Sequence, residues 1–130
     1  MSAAFEAYRA QNAIGRFGLA IDDHDLDGIV ALFSADAVLE VDGRPPRKGP
    51  GEIRDLFAEI LGLGWQGQHS TSPAVFTVAG DEVAFVAPYR YLRFEAGFRF
   101  QTAGRYEGVL RRHGDDWLFA RLAVRVSARA

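Results

Sequence analysis

The apolar residues in the first half of the chain recur with the period of an α-helix. Across residues 4–21 they fall every three or four positions, which predicts a first amphipathic helix. A second helix is predicted over residues 25–33, with Asp25 placed to cap its free amides. After a short predicted strand at 38–41, Pro50 suits the first turn of a third helix that ends before Gly62.

Beyond Gly64 the apolar residues alternate with the period of β-strands. Four strands are predicted, at 74–78, 83–94, 98–112 and 117–126, and glycine-containing turns typical of hairpins join them into an antiparallel meander. In the third strand, Phe98, Phe100, Thr102, Tyr106 and Leu110 alternate with Arg99, Gln101, Arg105, Glu107 and Arg111. This alternation predicts one buried and one solvated sheet face, whereas the last strand is apolar on both faces.

Helices followed by a long-stranded antiparallel sheet are typical of an α+β fold. Because a long sheet with one apolar face must curl around the helices, we expect a cone-shaped curved antiparallel sheet packed with three N-terminal helices. A concave interior follows if the space is not fully packed. The length of 130 residues and the 48% hydrophobic content match one domain spanning residues 1–130.

Charge and residue types exclude several classes of partner. Fifteen Lys and Arg against 17 Asp and Glu give no basic excess for binding nucleic acid. The chain has no cysteine, and its three histidines lack a two-histidine spacing on one face, so we expect neither a metal site nor a cofactor. The N-terminal segment carries Glu6 and Arg9 and is predicted to be neither a signal peptide nor a membrane span, which favours a cytoplasmic protein.

The run over residues 17–38, FGLAIDDHDLDGIVALFSADAV, resembles the opening of the SnoaL-like branch of the nuclear transport factor 2-like superfamily. Three later segments resemble further parts of that branch, namely GQHSTSP at 67–73, the Gly80-Asp81 turn, and GDDW at 114–117. The resemblance covers nearly the whole chain. It implies three helices packed on a strongly bent antiparallel sheet, and a homodimer formed through the outer sheet face.

Within that superfamily the motifs are most similar to the scytalone dehydratase and bile acid dehydratase group, in which a helix Asp and an inner-wall His form a dyad. The resemblance gives these roles to Asp22 and His69. His69 would move a proton next to a carbonyl, and Asp22 would fix its tautomer and stabilise its imidazolium. The implied ligand is a small hydrophobic cyclic ketone or alcohol. We expect His24 and His113 on the surface.

Two positions depart from the patterns of related enzymes. The dehydratases carry a tyrosine about one and a half turns before the helix Asp, where this chain has Phe17, so Tyr91 is our candidate to hold the carbonyl. Val41 occupies the position of the ketosteroid isomerases' Asp base, which disfavours that mechanism. The residues predicted to contact the ligand are Phe17, Val41, Phe57, Trp65, Tyr89, Arg93, Phe98 and Tyr106.

Two other functions remain open at this point. A non-catalytic ligand-binding or assembly module would use the same fold, since a fold alone does not assign chemistry, and Phe17 in place of tyrosine favours it. A polyketide cyclase would share the pocket. An open pocket with Asp22 and His69 in hydrogen-bond reach favours an enzyme, whereas a filled interior favours the module.

Overall fold

A computed structural model describes residues 2–130, which form three helices and seven strands. The helices are α1 (Ala3–Asp22), α2 (Leu26–Val30) and α3 (Gly49–Gly62). The strands are β1 (Phe33–Val41), β2 (Arg47–Lys48), β3 (Gly67–Thr71), β4 (Val75–Ala79), β5 (Glu82–Arg93), β6 (Arg99–His113) and β7 (Asp116–Arg129). No helix among the described residues is long and apolar enough to cross a bilayer.

All seven strands belong to one curved sheet in the order β2-β1-β7-β6-β5-β3, and β4 also pairs with β5. The long strand β5 pairs with β4 along its first half and with β3 along its second half. Neighbouring strands are antiparallel except β1 and β7, which run parallel and make the sheet mixed. Helices packed on this sheet confirm the predicted α+β cone.

Side chains near the helix ends explain where α1 and α2 begin. The hydroxyl of Ser2 accepts the backbone N–H of Phe5 at 3.2 Å and caps α1. Asp25 caps α2 as predicted, because its Oδ1 accepts the N–H of Gly28 at 3.0 Å. Between the two helices His24 adopts a left-handed φ of 55°.

The second helix is shorter than predicted, and the first strand is longer. The helical pattern predicted a helix over 25–33, but α2 ends at Val30 and β1 already begins at Phe33. Phe33 pairs with Phe119 of β7, and the N–H of Phe119 donates to the carbonyl of Leu32 at 2.8 Å. Pairing with a distant strand therefore overrides the local helical pattern at this point.

Residues 67–71 form strand β3, which the sequence pattern did not predict. This polar segment, GQHST, pairs in antiparallel register with the second half of β5, where His69 lies opposite Tyr91. The short strand β2 was also not predicted and pairs with β1. Both strands depend on a neighbouring strand rather than on their own composition.

The buried core fills the space between the helices and the concave face of the sheet. Phe17 of α1 lies at its centre, with its ring packed edge-on at centroid distances of 5.6 to 6.1 Å against four other rings. These rings belong to Phe33, Phe57, Tyr106 and Phe119. The helix tyrosine of the dehydratase-like pattern is thus replaced by a core residue that is only 2% exposed.

The alternation predicted for β6 is correct in its second half and wrong in its first. Tyr106 and Leu110 are buried as predicted, but Phe98 is 72% exposed and Phe100 is 39% exposed. Phe98 lies in the turn before β6, beyond the part of β5 that pairs with β3. The hairpin end extends past the core, so its aromatic residues have no packed layer to enter.

Candidate active site

The helices and the concave sheet face enclose a cavity of about 440 Å³. Its buried wall is mainly aromatic and includes Phe17, Phe57, Tyr89 and Tyr106. Exposed residues that also line it, Gly43, Arg44, Leu63 and Arg129, lie on the side open to solvent. An apolar, partly open cavity of this size can enclose a small organic molecule.

Strand pairing places four polar side chains in one row across the cavity wall. His69 lies opposite Tyr91, Tyr91 opposite Thr102, and Thr102 opposite Arg129. Directly paired residues project from the same sheet face, and all four line the cavity. The cavity therefore combines an apolar wall with a polar row that runs from β3 to the open side at β7.

Asp22 and His69 meet at the β3 end of this row. The Nδ1 atom of His69 lies 2.6 Å from Oδ1 of Asp22. The backbone N–H of His69 donates to the same carboxylate, at 2.8 Å from Oδ2 and 3.1 Å from Oδ1. The two side chains are only 13% and 14% exposed. Because the carboxylate of Asp22 contacts both the backbone N–H and Nδ1 of His69, it fixes the orientation of the imidazole ring. Nε2 is then the ring nitrogen available to a ligand.

A glycine in α1 allows the two residues to meet. Gly18 lies one helical turn before Asp22, and a Cβ atom at Gly18 would be 3.3 Å from the Cβ of His69. Helix α1 therefore approaches β3 closely at this position. The close approach brings the last residue of the helix within reach of both the backbone and the ring of His69.

Tyr91 packs directly on the imidazole of His69. The two ring centroids are 4.5 Å apart, and the ring planes are tilted by 36°. Burial raises the pKa of the Tyr91 phenol, and the charge of Asp22 raises it further, while Arg93 has a smaller opposing effect. Tyr91 therefore keeps its proton at neutral pH and can donate a hydrogen bond.

Two further phenols line the buried part of the cavity. Tyr89 and Tyr106 are stacked, with centroids 4.4 Å apart and ring planes within 4° of parallel. Burial raises the pKa of both phenols, most strongly that of Tyr106. Tyr106 lies against Phe17, with centroids 5.6 Å apart, so a protonated phenol is present beside the position that lacks the expected helix tyrosine.

The structure places most of the predicted ligand-contacting residues in the cavity wall, but not Arg93 and Phe98. Those in the wall are Phe17, Val41, Phe57, Trp65, Tyr89 and Tyr106. The guanidinium of Arg93 instead stacks on Trp65, 4.1 Å from its ring centroid, and lies 3.5 Å from Glu95. Phe98 lies in the exposed hairpin turn. The predictions that Arg93 and Phe98 contact a ligand in the cavity are therefore wrong.

The prediction that His24 is a surface residue is also wrong. His24 lines the cavity, and its Nε2 lies 2.9 Å from the carbonyl oxygen of Trp65, which fixes the loop between α3 and β3. Its backbone is in the left-handed region, and the acidic residues around it in the sequence did not indicate that its ring would line the cavity. His113 is exposed at the end of β6.

Besides His24, five polar residues of the cavity wall were not among the predicted site residues: Asp42, Arg44, Gln101, Thr102 and Arg129. Thr102 and Arg129 belong to the polar row. The alternation of apolar and polar residues along β6 had predicted Thr102 on the buried sheet face. The same alternation had predicted Gln101 on the opposite, solvated face. Within residues 2–130 no group of three or more His, Asp or Glu residues is arranged to hold a metal ion.

Comparison with solved structures shows the same fold in proteins of low sequence identity. A protein of unknown function from Mycobacterium tuberculosis is 23% identical, with a TM-score of 0.87 over 95% of this chain and 72% of the other. A proposed scytalone dehydratase from Novosphingobium aromaticivorans is 14% identical, with a TM-score of 0.85 over 98% and 87%. A hexachlorocyclohexane dehydrochlorinase, LinA type 2, is 17% identical, with a TM-score of 0.85 over 98% and 88%.

A protein-family comparison covers almost the whole chain. The family model of the SnoaL-like domain matches residues 7–123, which include most of α1, the polar row up to Thr102, and more than half of β7. The similar solved structures share the architecture of helices on a curved sheet. The chain belongs to the SnoaL-like domain family.

Proposed function

We propose that this protein is a cofactor-independent lyase or isomerase that acts on a small hydrophobic cyclic ketone or alcohol. The observation that carries the proposal is the 2.6 Å contact between Nδ1 of His69 and Oδ1 of Asp22 beside an open, mostly apolar cavity. Surface His–Asp pairs are common, but this pair is largely buried and leaves Nε2 without a hydrogen-bond partner among residues 2–130.

His69 is the proton carrier in the proposed reaction. With Nδ1–H donated to Asp22, Nε2 carries a lone pair that removes a proton from the carbon next to the ligand carbonyl. The electron pair of the broken C–H bond moves to the carbonyl oxygen, and the carboxylate of Asp22 stabilises the imidazolium. The phenol of Tyr91 donates a hydrogen bond to the enolate oxygen.

The second half of the reaction returns the proton. In a dehydration, the enolate re-forms the carbonyl and expels the hydroxyl group of the β-carbon, which takes the proton from Nε2 and leaves as water. In an isomerisation, Nε2 returns the proton to a different carbon of the ligand. In both cases His69 ends neutral, so that one side chain acts as base and then as acid without a redox step.

Two of the similar structures bear the names of enzymes that catalyse eliminations. One is described as a proposed scytalone dehydratase and the other as a hexachlorocyclohexane dehydrochlorinase, and both names denote removal of a small molecule from adjacent carbons. At sequence identities of 14% and 17%, these similarities show a shared fold and do not show a shared activity. The argument for this chain therefore depends on its own Asp22, His69 and Tyr91.

A ligand-binding module without turnover is the second candidate function. The observation that favours it is Phe17, which is packed among core rings and offers no hydroxyl where the dehydratase-like pattern has one. Tyr91 and Tyr106 supply protonated phenols elsewhere in the wall, which is why we favour the enzyme. A polyketide cyclase would begin with the same proton removal, but its enolate carbon would attack a second carbonyl of the substrate to form a C–C bond, with the proton from Nε2 going to the new alkoxide. Trials with different substrates distinguish it from a lyase or isomerase.

The proposed proton transfer can be measured without the natural substrate. In D₂O the wild type should accelerate hydrogen–deuterium exchange at the carbons next to the carbonyl of 2-tetralone, followed by ¹H NMR. His69→Gln and His69→Ala should lose this acceleration, and Asp22→Asn should lower it by about 10²-fold or more, because general-base catalysis contributes about 10²–10⁴-fold. The matched control is His113→Ala, which changes an exposed histidine.

Circular dichroism and thermal unfolding establish that each variant is folded. Exchange at the wild-type rate in folded His69→Ala would remove His69 from the reaction. Binding of 2-tetralone by the wild type with no acceleration of exchange would favour the ligand-binding module over the enzyme.

A further inference from the structure

Trp65 lies in the cavity wall without belonging to the buried core. The residue is half-buried and lines the cavity, whereas the packed cluster of buried residues within 2–130 does not include it. Close packing holds a core ring in one rotamer, but it does not act on a ring outside the core. The orientation of the indole of Trp65 therefore depends on contacts made at the edge of the cavity.

The backbone around Trp65 is held at two points. The carbonyl oxygen of Trp65 lies 2.9 Å from Nε2 of His24. The carbonyl of Gln66 accepts the N–H of Phe94 at 2.8 Å. These bonds fix the place where the side chain of Trp65 leaves the main chain. They do not fix its rotamer, which depends on torsions of the side chain itself.

The side chain of Arg93 covers the indole. Its guanidinium carbon lies 4.1 Å from the centroid of the Trp65 ring, where the charge is attracted to the ring face. The Nε atom of Arg93 lies 3.5 Å from the carboxylate of Glu95, and the side chain of Arg93 is only 23% exposed. Because Trp65 lines the cavity and Arg93 does not, the guanidinium covers the ring face turned away from the cavity. The other face is left for a ligand.

We propose that Arg93 is a positioning residue that holds the indole of Trp65 in the cavity wall, where its free face packs on a planar ring of the ligand. The guanidinium restricts the indole to one orientation before the ligand binds, so the ligand loses no affinity by ordering it. Arg93 itself touches no ligand. This role rests on the proposed function only in that the cavity binds the ligand, and it does not depend on proton transfer by His69.

A double-mutant cycle tests whether Arg93 acts through Trp65. Dissociation constants of 2-tetralone are measured by calorimetry for the wild type, Arg93→Gln, Trp65→Leu and the variant with both changes. Arg93→Gln should weaken binding about 2–5-fold, the range that corresponds to one partly exposed cation–π contact. In the Trp65→Leu background the same change should have no further effect, because no indole is left to position.

Three further measurements separate positioning from a merely structural role. In the exchange assay Arg93→Gln should raise KM and keep the wild-type kcat, since Asp22 and His69 are unchanged. Acrylamide should quench the tryptophan fluorescence of ligand-free Arg93→Gln more strongly than that of the wild type. This increase reports on Trp65 because the second tryptophan, Trp117, is only 3% exposed. Arg93→Lys should keep most of the affinity, because an ammonium group can also lie over the ring.

Arg99→Gln is the matched control. Arg99 and Arg93 both contact the carboxylate of Glu95, at 3.7 and 3.5 Å, but within residues 2–130 only Arg93 stacks on Trp65. Arg99→Gln should therefore keep the wild-type dissociation constant and the wild-type quenching by acrylamide. Circular dichroism and thermal unfolding establish that every variant is folded.

Any of three results would overturn the role of Arg93. The first is a wild type that binds no 2-tetralone, or a folded Arg93→Gln that binds it as tightly as the wild type. The second is an equal effect of Arg93→Gln with Trp65 and with Leu at position 65. The third is unchanged quenching by acrylamide. Binding of 2-tetralone without proton exchange would instead contradict the proposed enzyme and leave the role of Arg93 in binding intact.

Discussion

Two glycines determine how closely the neighbouring elements pack around His69. Gly18 lets α1 approach the Cβ of His69, and Gly67 leaves room for the phenol of Tyr91. A Cβ atom at Gly67 would lie 2.6 Å from Oη of Tyr91 and would also clash with the backbone carbonyl of Leu92. The positions of both aromatic rings in the candidate site therefore depend on glycines of neighbouring elements.

Gly67→Ala should disturb both the site and the fold. Since the backbone of Leu92 cannot move without breaking the β3–β5 pairing, we expect a loss of about 1–3 kcal/mol in unfolding free energy, typical of overpacking. We also expect slower proton exchange of 2-tetralone because Tyr91 is displaced. Urea unfolding and the NMR exchange assay measure the two effects.

Gly15→Ala is the matched control for this substitution. Gly15 lies inside α1 with no atom within 4 Å of an added Cβ, so alanine should stabilise the protein by about 0.5–1 kcal/mol. Equal stability of the Gly67→Ala variant and the wild type would show that β3 can shift to accept the added methyl group.

Among the elements, the short helix α2 is stabilised mainly by the capping residue at its N-terminus. It has five residues, and its first turn is closed by the hydrogen bond from Gly28 N–H to Asp25 Oδ1 at 3.0 Å. A helix of this length has little stability of its own. The helical pattern beyond Val30 is overridden because Phe33 joins the sheet, so the cap and the packing of Ile29 hold what remains.

Asp25→Ala should lower the unfolding free energy by about 1 kcal/mol, the usual loss when an N-cap side chain is removed. Urea unfolding followed by circular dichroism measures the change. Asp23→Ala is the control, because Asp23 is exposed and its side chain makes no hydrogen bond within residues 2–130. A loss of the same size in both variants would mean that the cap contributes nothing specific.

For the molecule as a whole, charged side chains join the end of β1 to β7. The carboxylate of Asp42 accepts the N–H of Val126 at 2.8 Å and lies 3.3 Å from Arg125. Arg125 also binds Glu40 at 3.0 Å, so this network spans the single parallel strand pair of the sheet. A homodimer through the outer sheet face stays a prediction.

Lowering the pH should weaken the contacts that Asp42 and Glu40 make with β7, because both carboxylates become protonated in acid. The hydrogen bond from Val126 N–H, followed by Arg125, lowers the pKa of Asp42 below its ordinary value of 3.8. A carboxylate with a lowered folded-state pKa stabilises the protein fully above its unfolded-state pKa, and this contribution is lost as pH falls through the folded-state value. Glu40 behaves in the same way because Arg121 and Arg125 lower its pKa.

Asp42→Asn should therefore be less stable than the wild type at pH 6 and closer to it at pH 3. The measurement is urea unfolding at both pH values, with the slope against urea concentration checked for constancy. If the difference in stability between the two proteins is the same at pH 6 and pH 3, the charge of Asp42 does not contribute to the linkage.

Local patterns were sufficient for the α+β order, the meander of β4 to β7 and the cap at Asp25, because amphipathic periods and capping chemistry act between residues close in sequence. The pairing of Asp22 with His69 was inferred from a family resemblance, not from periodicity. Only the tertiary structure decided the early start of β1, the existence of β3, the inward turn of His24 and Gln101, and the exposure of Phe98. These depend on pairing and packing between residues far apart in the chain, which override local preference without leaving a pattern in the sequence.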